Sequence, residues 1–418
     1  MITLCAVAAI GVVAFTQWGG SQKTAVDSEP QAESTTQQIQ QEENTVTKTE
    51  PYVEVNCSGS QLTSQQADLL MRYGEIYLNS LITLESGDIS GLYSNTDSEA
   101  YHINNTALRV ITNVRKMSHK DLTLEKASLT YTVQDVYSSK GRTVVELLED
   151  NTQKFKFVDA NSQSFIIRHT FVIEEIDGEW YIYSHAQEED FYLLTEEAWK
   201  KYSGTPQEKA VKAHDHVIAD AQENLVWRQE HYLDKTYPKT ASDTSYNRDA
   251  AVEYAQNWVG QRNYTGDYLA YDDYGGNCQN FASQCLFAGS LEMDYKGTST
   301  CHWKFYSQTL NENSTARGRS YSWTGVDPFY SYCYYNTGIG IIAETEWGTA
   351  YTQKGDVIQV GAMAQWRHSL FVTDVEYDAE GRATEIIVAS NTADRINYPL
   401  SAYIYTAPRL IHIVGQNT

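Results

Sequence analysis

Gly275-Gly276-Asn277-Cys278-Gln279-Asn280-Phe281-Ala282-Ser283-Gln284-Cys285-Leu286 is a glycine turn that runs directly into a cysteine opening an amphipathic helix. Two glycines let the backbone turn sharply, and the unpaired N–H groups of a first helical turn favour a thiolate over a thiol. Cys278 is therefore a candidate nucleophile. Cys285, seven residues on, falls on nearly the same helical face two turns later and is expected to be buried beside Phe281 and Leu286. Most unpaired cysteines are small buried hydrophobes, so the chemistry also needs a base.

The C-terminal third supplies one. Gly355–Val360 and Trp366–Val375 read as strands, and Thr384–Ser390 follows the four-residue loop Asp378-Ala379-Glu380-Gly381, which makes a hairpin. With 378–381 as the loop, Tyr377 faces Arg382 and His368 lies opposite Asn391. Cross-strand partners have Cβ atoms roughly 4.5–5.5 Å apart, close enough for Asn391 to hold the imidazole in one tautomer. A bulge would shift the register by one and break that pairing. The set reads as Cys278 nucleophile, His368 general base and acid, and Asn391 orienter. An amide suffices as orienter where thiolate and imidazolium already form an ion pair. The Cys278 backbone N–H is the natural oxyanion donor, with Asn277 as an auxiliary. Taken singly, each residue has an ordinary structural reading: His368 at a strand edge, Asn391 in a turn before Arg395. Cysteine, histidine and asparagine in this chain order, however, follow papain-like catalysis. His302, beside Cys301, ranks second as a base because its surroundings show no strand pattern and no orienting partner.

The remainder of the chain divides by composition. At 418 residues and 41% hydrophobic it is long enough for two or three domains. A formal net charge of -23, from 54 acidic against 31 basic residues, argues against nucleic acid as a partner, since phosphate binding needs a concentrated basic surface. Residues 1–18 are apolar and uncharged, read as an export signal or membrane anchor. Residues 19–51, rich in Ser, Thr, Gln and Glu, read as a disordered linker that tethers the folded part. Residues 52–202 form an α+β accessory region, with a helix capped near Thr63 or Ser64 and strands at Leu122–Val136, Arg142–Leu148, Phe165–Ile176 and Glu179–His185. That element order resembles NTF2-like or cystatin-like domains, and the strand histidines His169 and His185 read as structural. A bridging helix occupies 203–240, where His214 and His216 stand two apart and point in different directions. Residues 241–418 form the domain of Cys278. Six cysteines without CxxC spacing point to neither a zinc site nor a dense disulfide framework, although pairs among Cys285, Cys301 and Cys333 stay open. No metal or organic cofactor is expected.

Several stretches in order carry a resemblance. Tyr246-Asn247-Arg248-Asp249-Ala250-Ala251-Val252 with Tyr254-Ala255, the Gly275–Leu286 run, Ser320-Tyr321-Ser322-Trp323, Gly355-Asp356-Val357 and Asn391-Thr392-Ala393-Asp394-Arg395 together resemble the putative amidase domain of Gram-positive bacteria. That family is related to the NlpC/P60 and CHAP cysteine hydrolases. The resemblance implies a papain-like α+β domain, its catalytic helix packed on an antiparallel sheet, with Cys278 as nucleophile and His368 as base. Two positions depart from the family pattern: Asn277 stands where Asp is usual, and Asn391 where His is frequent. An exported, tethered amide hydrolase would meet peptidoglycan peptides at the surface of a Gram-positive cell. A catalytically silent wall- or partner-binding module and an acyl-transferring transpeptidase are the alternative readings.

Overall fold

The computed structural model describes residues 52–58, 61–238, 241–265, 268–294, 302–305, 319–362, 365–403 and 406–418. The expectations for residues 1–51 and for Cys301 lie outside these. Among the described residues, no helix is long and apolar enough to cross a membrane.

The fold is α+β, built on one large, mostly antiparallel sheet. After strand β1 (Tyr52–Ser58), helix α1 (Ser64–Thr83) begins at Thr63, whose hydroxyl accepts the Gln66 N–H while the Gln66 side chain accepts the Thr63 N–H. This reciprocal capping box satisfies two N–H groups that a helix start otherwise leaves bare. Helix α2 (Glu99–Lys116) was not foreseen from the sequence. Its apolar face is Leu108, Val110, Ile111 and Val114, and the polar run Asn104-Asn105-Thr106 interrupts the repeat. Asn104 is nevertheless buried, because its amide donates to the carbonyls of Ala100 and His185. The long strands β2 (Leu124–Ser139), β3 (Arg142–Phe155), β4 (Ser162–Ile176) and β5 (Glu179–Gln187) then pair as antiparallel neighbours. His169 of β4 and His185 of β5 are buried with a ring nitrogen of each 2.9 Å from the other, and His169 lies 3.3 Å from Glu149. Burial holds His185 neutral, well below its ordinary range.

Helices α3 (Asp190–Lys200) and α4 (Pro206–Glu230) pack against α2. On α4, His214 meets Asn113 while His216 meets Lys201 and Tyr202, so the two imidazoles face different partners. Helix α5 (Arg248–Trp258), capped by Asn247, leads to α6 (Cys278–Ala288). The short helices α7 (Tyr321–Thr324) and α8 (Val326–Tyr335) precede strands β6 (Gly340–Glu344), β7 (Val357–Ala362), β8 (Gln365–Tyr377), β9 (Ala383–Ser390), β10 (Asp394–Pro399) and β11 (Ala407–Asn417).

The sheet runs β1-β2-β3-β4-β10-β9-β8-β7-β11-β6, with β5 off this path on β4. Its middle joint is the β4–β10 ladder, where Phe165 faces Asp394 and Ser164 faces Arg395. Strands of the first two hundred residues and of the C-terminal part thus share one hydrogen-bonded surface. One apolar core spans both, from Leu69, Val110 and Phe171 to Ile358, Leu370 and Val388. A second core gathers Phe281, Cys285 and Leu286 of α6 with Ala251 and Ala255 of α5 and with Phe371 and Ala389 of the sheet. Cys285 is fully buried there, and burial pushes its thiol well up.

Asp356 shows what the Gly355-Asp356 pair does. Its carboxylate is fully buried and accepts from Arg248 at 2.7 Å, the Gln353 N–H at 2.8 Å and the Ile413 N–H at 3.1 Å, with the His412 ring 2.8 Å away. It ties α5, β7 and β11 together. Gly355 at φ +86 has its Cβ position 3.1 Å from both Arg248 and Tyr246, which leaves room only for glycine.

Candidate active site at the start of α6

Gly275 and Gly276 adopt φ +105 and +117, the left-handed conformations that only glycine accepts freely. They reverse the chain so that Cys278 opens α6. The turn is held by side chains rather than by a helix cap. The oxygen of the Asn277 amide accepts the Tyr271 N–H at 3.0 Å and the Asn280 amide at 2.8 Å. Its nitrogen donates to Asn391 Oδ1 at 3.0 Å, and the Asn277 backbone N–H donates to Thr392 Oγ1 at 2.8 Å. Asn277 and Asn391 therefore touch. Position 277 is the residue that fastens α6 to the end of β9.

Arg262 was not singled out from the sequence, yet it clamps the same turn. Its guanidinium binds Asp272 at 2.6 and 2.8 Å and Asp394 at 2.7 and 3.1 Å. Asp394 in turn accepts the Thr392 N–H at 2.6 Å, and Asp272 accepts the Thr392 hydroxyl at 3.3 Å. Bidentate pairing of this kind fixes geometry as well as charge. Nothing in local spacing signals it, because residues 262, 272 and 394 meet only in the folded chain.

Cys278 is buried, and burial raises its thiol pKa above the ordinary value. The backbone N–H groups of Ser369, Gln279 and Cys278 itself oppose that rise, while the charge of Asp272 adds to it. The Ser369 N–H brings the sulfur to the backbone just after His368. His368 is half-buried on β8, and burial pushes its pKa down to about 4, with Asp190 pulling it up and Arg395 pushing it down. Both groups are thus neutral near pH 7. The ion pair expected from the sequence is not the resting state, and the histidine would act by general-base transfer.

The register places these residues differently from the hairpin arithmetic. Phe371 faces Ala389, not Val388, and bulges interrupt the ladder between Val372 and Asp374 and between Glu376 and Tyr377. Continued past its end, this register sets Asn391 opposite Ser369. Among the described residues, no hydrogen bond joins Asn391 to His368 or the Cys278 thiol to the imidazole. Asn391 Nδ2 is buried without a partner. Ser369 faces α6, its hydroxyl donating to Gln279 at 2.7 Å, while Leu370 and Val372 enter the other core. Alternation along β8 turns His368 to that other side, where it lines a cavity of about 680 Å³ walled by α3 and α4. Thr392, bonded to the residue before the thiol, lines the same cavity. The cavity thus runs from the α3 wall to Thr392 and Ala393, and Cys278 is not in its lining.

His302, the second-ranked base, lies elsewhere. It pairs with Asp294 at 3.3 Å in the segment beyond the far end of α6. Among the described residues, no group of three or more His, Cys, Asp or Glu side chains is placed to hold a metal ion.

The depressed pKa of His368 carries a sign for stability. The folded imidazole stays neutral to about pH 4, whereas an unfolded one takes a proton near 6.5. Stability contributed by the neutral ring is therefore full above pH 6.5 and is lost as pH falls from 6.5 to about 4. The loss is at most about 3 kcal/mol, because the ring still reaches the cavity. Urea unfolding at pH 7 and pH 4 should show this decrement in the native chain and a smaller one in His368→Gln. Equal decrements would exclude it.

Comparison with known proteins bears on the same half of the chain. Residues 245–414 match the family described as "Putative amidase domain". An uncharacterized protein, YhbB, of Bacillus subtilis (strain 168) is 25% identical over 293 residues, covering 69% of this chain and 76% of its own length. No solved structure matches.

Proposed function

We propose that this chain, whose residues 245–414 match an amidase family, is a cysteine-dependent amide hydrolase with Cys278 as nucleophile and His368 as base. The observation that carries the reading is the thiol at the first position of α6, ringed by the N–H groups of Cys278, Gln279 and Ser369. Such donors stabilise the negative charge that forms when sulfur gives up its proton and adds to a carbonyl.

The neutral imidazole takes the thiol proton as sulfur attacks the carbonyl carbon. The C–N bond then breaks, and the same proton passes to the departing amine, leaving a thioester. Water adds next, giving a proton to His368. The C–S bond breaks, the acid leaves, and the proton returns to sulfur. Because His368 lies on the face of β8 turned away from α6, this step requires the first residues of β8, next to the bulge opposite Val360 and Gly361, to move with the ring. Catalytic hydrogen bonds commonly tighten only with substrate bound. Asn391, through Asn277, keeps the thiol turn in place and offers its unpartnered Nδ2 as the orienter.

The papain-like arrangement of helix on antiparallel sheet belongs to this reading, as do export, residence at the cell surface and a peptidoglycan stem peptide as substrate. An apolar N-terminal segment followed by a polar tract supports the export part. Digestion of purified peptidoglycan and muropeptides, followed by mass spectrometry with wild type and Cys278→Ser, tests it. A new amine and acid from one amide bond, made only by wild type, is the expected result. An intact substrate pool with both proteins would overturn the substrate, and a product joined to an added amine would indicate a transferase.

A further inference from the structure

We propose that Asp190, the first residue of α3, is a positioning residue for His368, so that the N-terminal region completes the active site. The inference rests on the reading of His368 as the base. It also gives the histidine a carboxylate neighbour, where Asn391 makes no hydrogen bond to the ring in the resting structure.

Asp190 and His368 line one cavity from opposite walls. Asp190 is held there by Arg395 of β10, its carboxylate 2.8 Å from the guanidinium. Arg395 is itself buried, lying over the rings of Tyr398 at 4.7 Å and Tyr403 at 5.1 Å. The ion pair fixes where the carboxylate sits, although Asp190 is 25% exposed and its field is partly screened by solvent. The carboxylate stabilises a protonated ring, and the guanidinium opposes it, as their directions on His368 show.

Apart from Glu223, the other charges facing the cavity have partners of their own. Glu197 of α3 reaches Arg367 of β8 at 3.8 Å. Lys201 of α3 lies 2.9 Å from His216 of α4, which stands 3.6 Å from Asp220. Glu223 lies further along the α4 wall. Glu189, just before Asp190, spends one carboxylate oxygen on the N–H groups of Phe191 and Tyr192. Burial, with Asp190 adding, pushes Glu189 up to about 7. Asp190 and Arg395 are left as the pair that sets the charge on His368.

The general base of a thiol attack becomes an imidazolium in the transition state, and a carboxylate across the cavity favours that change. The match to the amidase family begins at residue 245, so Asp190 lies outside the stretch that the family covers. The helix that bears it belongs to the region read as accessory.

The test is a histidine titration by NMR on the full chain, with the His368 signal assigned by its loss in His368→Gln. In Asp190→Asn the ring should titrate lower by roughly one pH unit, and in Arg395→Gln higher by a similar amount. With an amide substrate, Asp190→Asn should lower kcat at least about tenfold with KM little changed, and Asp190→Glu should recover part of the loss. Unchanged titration in both variants, or movement in the same direction as general loosening would cause, overturns the proposal. If Asp190→Asn does not fold, Arg395→Gln and Asp190→Glu decide by the same readout. Opposite shifts in a protein that cleaves no amide would leave this inference standing and remove the functional reading instead.

Discussion

Cys278→Ala, His368→Ala and the double variant are expected to lose kcat by the same large factor, on the order of 10⁵ to 10⁶. Residues that act as one unit lose nearly everything when either is removed, so the second deletion has little left to take. The measurement matters because the resting structure brings the thiol to the Ser369 N–H and leaves the imidazole in the α3–α4 cavity. If the ring swings to sulfur during turnover, the two losses will not add. Should the double variant instead lose the product of the two single factors, His368 would be acting independently and another group would be the base. A loss from His368→Ala of less than about tenfold would remove it from proton transfer altogether. Alkylation adds a second view: with a buried thiol raised above its ordinary pKa, iodoacetamide should react slowly with resting Cys278 at pH 7 and faster as pH rises.

Asn277→Asp alone should destabilise the fold by about 3–5 kcal/mol, the cost of leaving a buried charge without a partner. Asn277 is 2% exposed, and its amide both accepts and donates. A carboxylate keeps the bonds from Tyr271 and Asn280 and loses the one it gave to Asn391. The Asn391 amide can turn over to donate its free Nδ2, but the charge itself stays unmatched, since Arg262 is already committed to Asp272 and Asp394. Asn391→His in the same background supplies an N–H and, when protonated, a positive charge. The double variant Asn277→Asp with Asn391→His should therefore recover much of the loss, with a coupling of roughly 1–3 kcal/mol in a double-mutant cycle read by urea unfolding. Independent, additive effects would mean that the two positions are not exchangeable as a pair. Far apart in the sequence, the two positions form one contact in the structure, a neutral amide pair.

Where the chain speaks locally, the sequence was readable. The cap of α1 and the glycine turn into α6 coincide with the structure within a residue or two, whereas the bridging helix read over 203–240 is confined to Pro206–Glu230. Helix α2 escaped because Asn104 and Thr106 stand on its buried side, and their partners come from elsewhere in the fold. Residues 394–399 read as the exit from a turn. They form a strand because β9 and, more than two hundred residues earlier, β4 provide ladders on its two sides. The His368–Asn391 pairing failed for a similar reason: bulges in β8 depend on packing, not on the loop length from which register was counted. The Arg262 clamp and the Asp190–Arg395 pair have no signature in spacing at all.

The β4–β10 ladder carries a consequence for anyone who would isolate the family-matched half. Cutting the chain before residue 241 would strip β4 away and leave β10, hydrogen-bonded now on both sides, with a bare row of N–H and C=O groups. An open edge of that kind is a template for another copy's strand. The excised half would then be prone to self-association through β10, and its precipitation would be a property of the cut rather than of the enzyme.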